Sequence, residues 1–128
     1  MFHIESPRTG DQAVEQLIKA KGADKAPRVT PADIDESIAS EHYFTAEDGL
    51  VGLAAGGEYH DYPESLGLLT FCVLVLRNGF TVTGESACAS PENFDAEIGC
   101  KIARENAVNK LWPLMGYELK CRLARSEA

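Results

Sequence analysis

A chain of 128 residues, 45% apolar and 25% charged, has the make-up of a single small domain with one core. That length leaves no room for a second domain, and the longest apolar run, residues 66–76, is broken by Gly67 and Thr70 and is too short to cross a membrane. The net charge of −8 is unevenly placed: residues 1–66 hold 13 acids and 5 bases, residues 67–128 hold 7 of each, so an extended footprint on a DNA backbone is disfavoured.

Taken in order, Ala13, Val14, Leu17 and Ile18 fall on one face of a helix from Asp11 to Lys21, which Gly22 stops. Pro27 and several charges mark a linker, and Thr30-Pro31-Ala32-Asp33 then signals a helix start: a hydroxyl to cap, proline at the first helical position, and an acid at the positive end. That second helix is expected from Pro31 to about Ser40, with Ile34 and Ile38 inward. After Tyr43 and Phe44 comes a glycine-rich stretch, Gly49 to Gly57, which reads either as a short helix over Asp48–Ala55 or as a long loop. The clearest signal lies further on, where Asn78-Gly79 joins the runs Leu69–Arg77 and Phe80–Cys88. A two-residue type I′ hairpin is expected, with Thr81 opposite Leu76 and Thr83 opposite Leu74. Its first strand is apolar on both faces, Phe71, Val73 and Val75 on one and Cys72, Leu74 and Leu76 on the other, so both faces need cover. Ser90-Pro91-Glu92 repeats the cap-then-proline start and opens a long helix to Trp112, where Pro113 is expected to end it. Phe94, Ile98 and Ile102 form one stripe on that helix; Ala96, Cys100, Ala103, Ala107 and Leu111 form a second. The alternation of Tyr117, Leu119, Cys121 and Leu123 suggests a last strand that would complete a three-stranded antiparallel sheet. The expected class is therefore α+β, a hairpin packed with two N-terminal helices and one long C-terminal helix.

The chemistry readings are mostly exclusions. Gly84-Glu85-Ser86-Ala87-Cys88 lacks the last glycine of a nucleophile elbow, and Gly52–Gly57 lacks the Lys-Ser/Thr end of a phosphate loop. His3, His42 and His60 stand at no metal-binding spacing, and Cys72, Cys88, Cys100 and Cys121 form no C-x-x-C pair, so the cysteines read as buried apolar residues of a reducing compartment. No metal and no cofactor is expected. Residues 1–20 carry Glu5, Asp11 and Glu15 and do not resemble a secretory signal, which points to the cytoplasm. The nearest approach to a constellation is Glu58, His60 and Asp61, flanked by Tyr59 and Tyr62; carboxylate beside imidazole can do acid–base work, and the plainer reading is a solvated loop. Lys101 and Glu105, one turn apart, read either as a boundary pair or as a pair at an interface or ligand cleft. Thr81, Thr83 and Glu85 share one strand face with Leu76, Leu74 and Cys72 in the expected register, a mixture suited to a binding surface.

The run Leu74–Ala89, with Asn-Gly-Phe-Thr-Val-Thr-Gly-Glu-Ser-Ala-Cys, together with Ser90-Pro91-Glu92-Asn93-Phe94-Asp95 and Lys110-Leu111-Trp112-Pro113-Leu114 to Gly116-Tyr117, resembles a family of small tailed-phage and prophage proteins, the phage gene product 49 / gene product 66 family. The resemblance spans residues 28–120, including Val29-Thr30-Pro31, and leaves the first 25 residues as an extension. Cys100 stands where a basic residue is expected. What the resemblance implies is a context and not a mechanism: a small accessory protein made inside an infected or lysogenic bacterium. Combined with the missing nucleophile, metal and phosphate motifs, it leads to the expectation of a non-enzymatic protein that works by binding and so disables or redirects a host defence or metabolic component. Two alternatives accompany it, a small nucleotide signal held between subunits and a minor hydrolytic or metal-dependent activity at Glu58, His60 and Asp61. The uncovered apolar faces further suggest a two-fold homodimer with Phe71, Val73, Val75, Ile98, Ile102 and Trp112 at or near the contact.

Overall fold

The computed structural model describes residues 9–127. In chain order the elements are α1 (Thr9–Ala20), α2 (Pro31–Ser37), β1 (Ile38–Thr45), α3 (Ala46–Ala55), β2 (Leu69–Leu76), β3 (Thr81–Ala87) and α4 (Ala96–Glu127), with short 3-10 turns at Glu64–Leu68 and Pro91–Asn93. The class is α+β: the three strands form one antiparallel sheet in the order β1-β2-β3, and α4 lies across one face of it. The stretch of the N-terminal extension before residue 9 lies outside the described residues.

Local chemistry explains the helix ends. Thr30 accepts a hydrogen bond from the Asp33 backbone N–H (3.1 Å) and Asp33 accepts one from that of Thr30 (2.9 Å), a reciprocal cap that fixes the start of α2. At the C-terminus of α1, Gly22 takes a left-handed φ of +68°, while Ala23 N–H reaches Ile18 O (2.9 Å) and Gly22 N–H reaches Lys19 O (3.1 Å), a turn glycine makes without strain. Of the face expected to point inward from α1, Ile18 alone is half-buried; Ala13, Val14 and Leu17 are exposed, and Asp11 and Glu15 are half-buried beside Ile18, with Glu15 clamped on Arg28.

Four expectations need correction. The third strand is β1, not residues 117–123. It was hidden by a bulge between Ile38 and Ser40, which lets Ile38, Glu41 and Tyr43 all face α4 although their spacing breaks strict alternation. The hairpin does not use a type I′ turn: no non-glycine residue among the described residues has positive φ, so at this turn Gly79 (φ +89°) alone is left-handed. Gly79 N–H donates to Leu76 O (2.9 Å) and Leu76 N–H to Phe80 O (2.8 Å), which makes Arg77-Asn78-Gly79 a three-residue loop with a glycine bulge. The register shifts by one, pairing Val75 with Thr81 and Val73 with Thr83. The long helix begins at Ala96, after the 3-10 turn, and runs through Pro113 to Glu127. It continues because Leu111 is fully buried just before the proline, while Trp112 and Met115 pack on the core beside it; Met115, Leu119 and Leu123, each one turn apart, then form a half-buried stripe. The open choice in the middle of the chain resolves as a helix, α3.

The core joins Ile34 and Ile38 to Cys72, Leu74 and Val82 of the sheet and to Ala103, Ala107, Val108 and Leu111 of α4. Thus α4 buries its small-residue stripe and leaves Ile98 (58% exposed) and Ile102 (43%) in solvent. Small residues are required there: a Cβ on Gly84 would lie 2.2 Å from Ala103 O and 2.3 Å from Ala107 N. Gly84→Ala should therefore lower stability in urea unfolding by about 3 kcal/mol or more, because only backbone can give way. Gly49→Ala, in α3 with nothing within 4 Å of its added carbon, should instead raise it by about 0.5–1 kcal/mol.

Candidate functional site

Helix α3 begins with the same device as α2. Thr45 accepts from Asp48 N–H (3.1 Å) and Asp48 accepts from Thr45 N–H (2.8 Å). It ends on Gly57, φ +98°, with Glu58 N–H on Leu53 O (2.9 Å) and Gly57 N–H on Ala54 O (3.1 Å). That stop brings the following loop back along the helix. The result is a cleft of about 420 Å³ lined by Leu50, Val51 and Ala54 from α3 and by Tyr59, His60, Asp61 and Tyr62 from the loop.

The cleft has an apolar wall and a polar rim. Tyr59 donates to Asp61 Oδ1 (3.1 Å), and Tyr62, hydrogen-bonded to Glu47, keeps its phenolic proton above the ordinary tyrosine range. His60 Nε2 is 3.9 Å from Glu58 Oε2, beyond hydrogen-bonding distance, and both side chains are exposed. The loop residues singled out from sequence thus do gather in one place, but Asp61 is engaged by Tyr59 and not by the imidazole. The wall from α3 was the part sequence reasoning missed; its signal was the apolar run Leu50-Val51-Gly52-Leu53-Ala54, in which Leu50 and Val51 stand four and three residues before Ala54. Among the described residues, no three His, Cys, Asp or Glu side chains gather closely enough to hold a metal ion.

The other candidates separate. Thr81, Thr83 and Glu85 are exposed on the outer sheet face with Val75, Val73 and Phe71, not with Leu76, Leu74 and Cys72, because the one-residue register shift carries a whole strand to the opposite side. Lys101 and Glu105 are exposed on α4, outside the core and outside the cleft beside α3. Phe71, Val73 and Val75 do not share a surface with Ile98, Ile102 and Trp112: α4 covers the other sheet face, Ile98 and Ile102 point away from it, and Trp112 packs on the core with its indole N–H 3.3 Å from Asp11. Of the cysteines, Cys72 and Cys100 are buried as expected, whereas Cys88 and Cys121 are only partly covered.

Sequence reasoning also missed a buried polar cluster. Arg104, 7% exposed, holds both Glu41 oxygens at 3.0–3.1 Å and lies 3.9 Å from Asp35; Tyr43 donates to Glu41 Oε1 at 2.7 Å. Burial pulls the guanidinium toward neutrality, and the Glu41 hydrogen bonds and charge more than offset it, so Arg104 stays cationic. Its spacing was the available signal: Arg104 is one turn from Cys100 and one from Val108, on the small-residue face. The cluster joins α4 to β1 across 63 residues of chain and acts as a clamp. Arg104→Met should cost about 3 kcal/mol by stranding Glu41, and Arg104→Met/Glu41→Leu should be closer to the parent chain than that single variant, read from urea unfolding midpoints.

The same region sets an alkaline limit. Burial, with a smaller contribution from neighbouring Glu41, pushes the Cys72 thiol from 9.0 up to about 11, and burial followed by the Glu41 hydrogen bond raises the Tyr43 phenol above its usual range. Above pH about 9 the unfolded chain releases a thiol proton that the folded chain retains, so stability should fall as pH rises from about 9 toward 11. Denaturant midpoints measured through that window check it; a midpoint that rises would contradict the assignment.

In comparisons with known proteins, the model of the phage protein (N4 Gp49/phage Sf6 gene 66) family matches residues 29–123. No curated protein and no solved structure matches the chain.

Proposed function

The chain belongs to the N4 Gp49/phage Sf6 gene 66 family of phage proteins, and from that premise we propose that it is an accessory protein of the phage that binds a host protein and performs no chemistry of its own. The observation that carries this reading is α3. It is mostly apolar, yet none of its residues is buried: Val51 is 55% and Leu53 45% exposed. A soluble chain keeps such a surface when something covers it. The charge around it suggests what: between Arg28 and Arg77 there are nine Asp and Glu and no Lys or Arg, and Glu47, Asp48, Glu58, Asp61 and Glu64 border α3 and its loop. An apolar patch rimmed by carboxylates suits a basic protein surface, with the charges steering encounter and the apolar contact holding the complex.

A nucleotide signal fits this cleft less well, since no Lys or Arg lines it to meet a phosphate. A host-protein binder has to work where the host protein is, which for a defence or metabolic target is the cytoplasm. No helix among the described residues is long and apolar enough to cross a membrane.

Capture from host lysate on the immobilised protein tests the proposal. A bound host protein should be reduced about tenfold or more by Val51→Asp/Leu53→Asp and should be unaffected by Ile102→Asp on the solvent side of α4. Capture insensitive to the α3 variants would remove this surface from the argument. Absorbance at 260 nm in the denatured supernatant would favour the nucleotide, and turnover abolished by His60→Ala would overturn the non-enzymatic reading.

A further inference from the structure

Among the described residues, only one side of the sheet is covered by a helix, α4. On the side away from α4, paired residues form three rows: Phe44, Phe71 and Glu85; His42, Val73 and Thr83; Ser40, Val75 and Thr81. Phe44 is 42% exposed, its ring 5.8 Å from that of Phe71, and Phe71, Val73 and Val75 remain half-open although β2 is the central strand. An apolar stripe down the middle of a sheet, flanked by hydroxyls, has the layout of an interface core with a polar rim.

Its charge identifies the occupant. In a chain of net charge −8, two copies repel wherever carboxylates meet, so self-contact needs a face without them. Of the nine residues in the three rows the only carboxylate is that of Glu85, at the margin and 3.8 Å from Lys110 Nζ. A basic partner would be drawn instead to the acid-rich α3 region. We propose that this outer face joins two copies of the chain, sheet on sheet, about a two-fold axis at Val73 that runs across the strands. That orientation sets the strands of the two sheets antiparallel and keeps the two acidic α3 ends apart, whereas an axis along the strands would bring them together. Rows at equal distance from Val73 exchange places, so Phe71 of one copy meets Val75 of the other, and Val73 meets itself.

The face is about 14 Å wide and about 17 Å long, from three strands at about 4.8 Å and five residues at about 3.3 Å. That is smaller than the ~800 Å² each partner contributes to a standard interface, so association should be reversible and concentration-dependent. This proposal is independent of the host-binding reading, which uses α3.

Sedimentation equilibrium of the full chain across the micromolar range tests it. The weight-average mass should rise from 13.9 kDa toward twice that value. Val73→Glu should hold the chain as a monomer, and Thr83→Glu, at an exposed strand position where folding is not at risk, should weaken the dimer at least about tenfold. A mass constant at 13.9 kDa overturns the proposal, whether residues 1–8 or another protein then covers the face. So does a dimer that Thr83→Glu leaves intact, or one that Ile102→Glu alone abolishes, which would move the contact to α4.

Discussion

The rest of the molecule is arranged around the place where β3 and α4 touch backbone to backbone. With no side chain at Gly84, the helix comes close enough that even one added carbon would overlap Ala103 O and Ala107 N. This approach fixes both the height of α4 above the sheet and its rotation. Once Ala103 and Ala107 face Gly84, Arg104 must lie on the buried side beside them, and Ile98 and Ile102 must face water. A second close contact repeats the theme nearer the helix start, where a Cβ on Gly99 would be 2.9 Å from Thr70 Oγ1. The Thr70 hydroxyl is buried without a hydrogen-bond partner and points at a position only hydrogen can occupy, a cost of about 1–3 kcal/mol accepted for tight packing.

Placing Arg104 inside creates a demand that reaches back to the start of the sheet. A buried guanidinium is costly unless its donors are met, and the group that meets them, Glu41, comes from β1. For Glu41 to face α4 while Ile38 also packs inward, the strand must gain a residue between them, and the bulge at Ile38/Ser40 supplies it. Tyr43, two residues on, then donates to the same carboxylate. Helix position, bulge and polar cluster are therefore one solution to one packing problem.

This coupling also explains what could be read from sequence. The hairpin was legible because both strands are rich in β-formers and Asn-Gly breaks them; its register was not, since one or two left-handed residues at that turn distinguish the two loops and both contain Asn-Gly. β1 was invisible because its inward residues, Glu41 and Tyr43, are polar and make sense only beside Arg104, 63 positions away. The continuation of α4 was hidden by Pro113 and by an apparent alternation in which Leu119 and Leu123 are in fact neighbours on one helical stripe. At the candidate cleft, the aromatic and acidic loop was legible as a cluster, whereas its wall depended on whether residues 46–55 coil into a helix.

Among the described residues, burial of the small-residue stripe leaves the outer sheet face and α3 uncovered, two surfaces of opposite character. The outer sheet face carries little charge because β2 presents Phe71, Val73 and Val75 there, and its neighbours are Ser40, His42, Phe44, Thr81 and Thr83, with Glu85 at the margin. The α3 surface is apolar too, but carboxylates from its capping box and loop surround it. α3 follows directly from the end of β1, where Thr45 pairs with Thr70, and touches β1 and β2 at that end of the strands, beyond the Phe44–Phe71 row. Sheet-to-sheet contact at Val73 would therefore leave both α3 surfaces open, one at each end of the pair. Each would present the same acid-rimmed patch, so a partner with two copies of the complementary surface would bind more tightly than one patch allows, provided its sites span the distance.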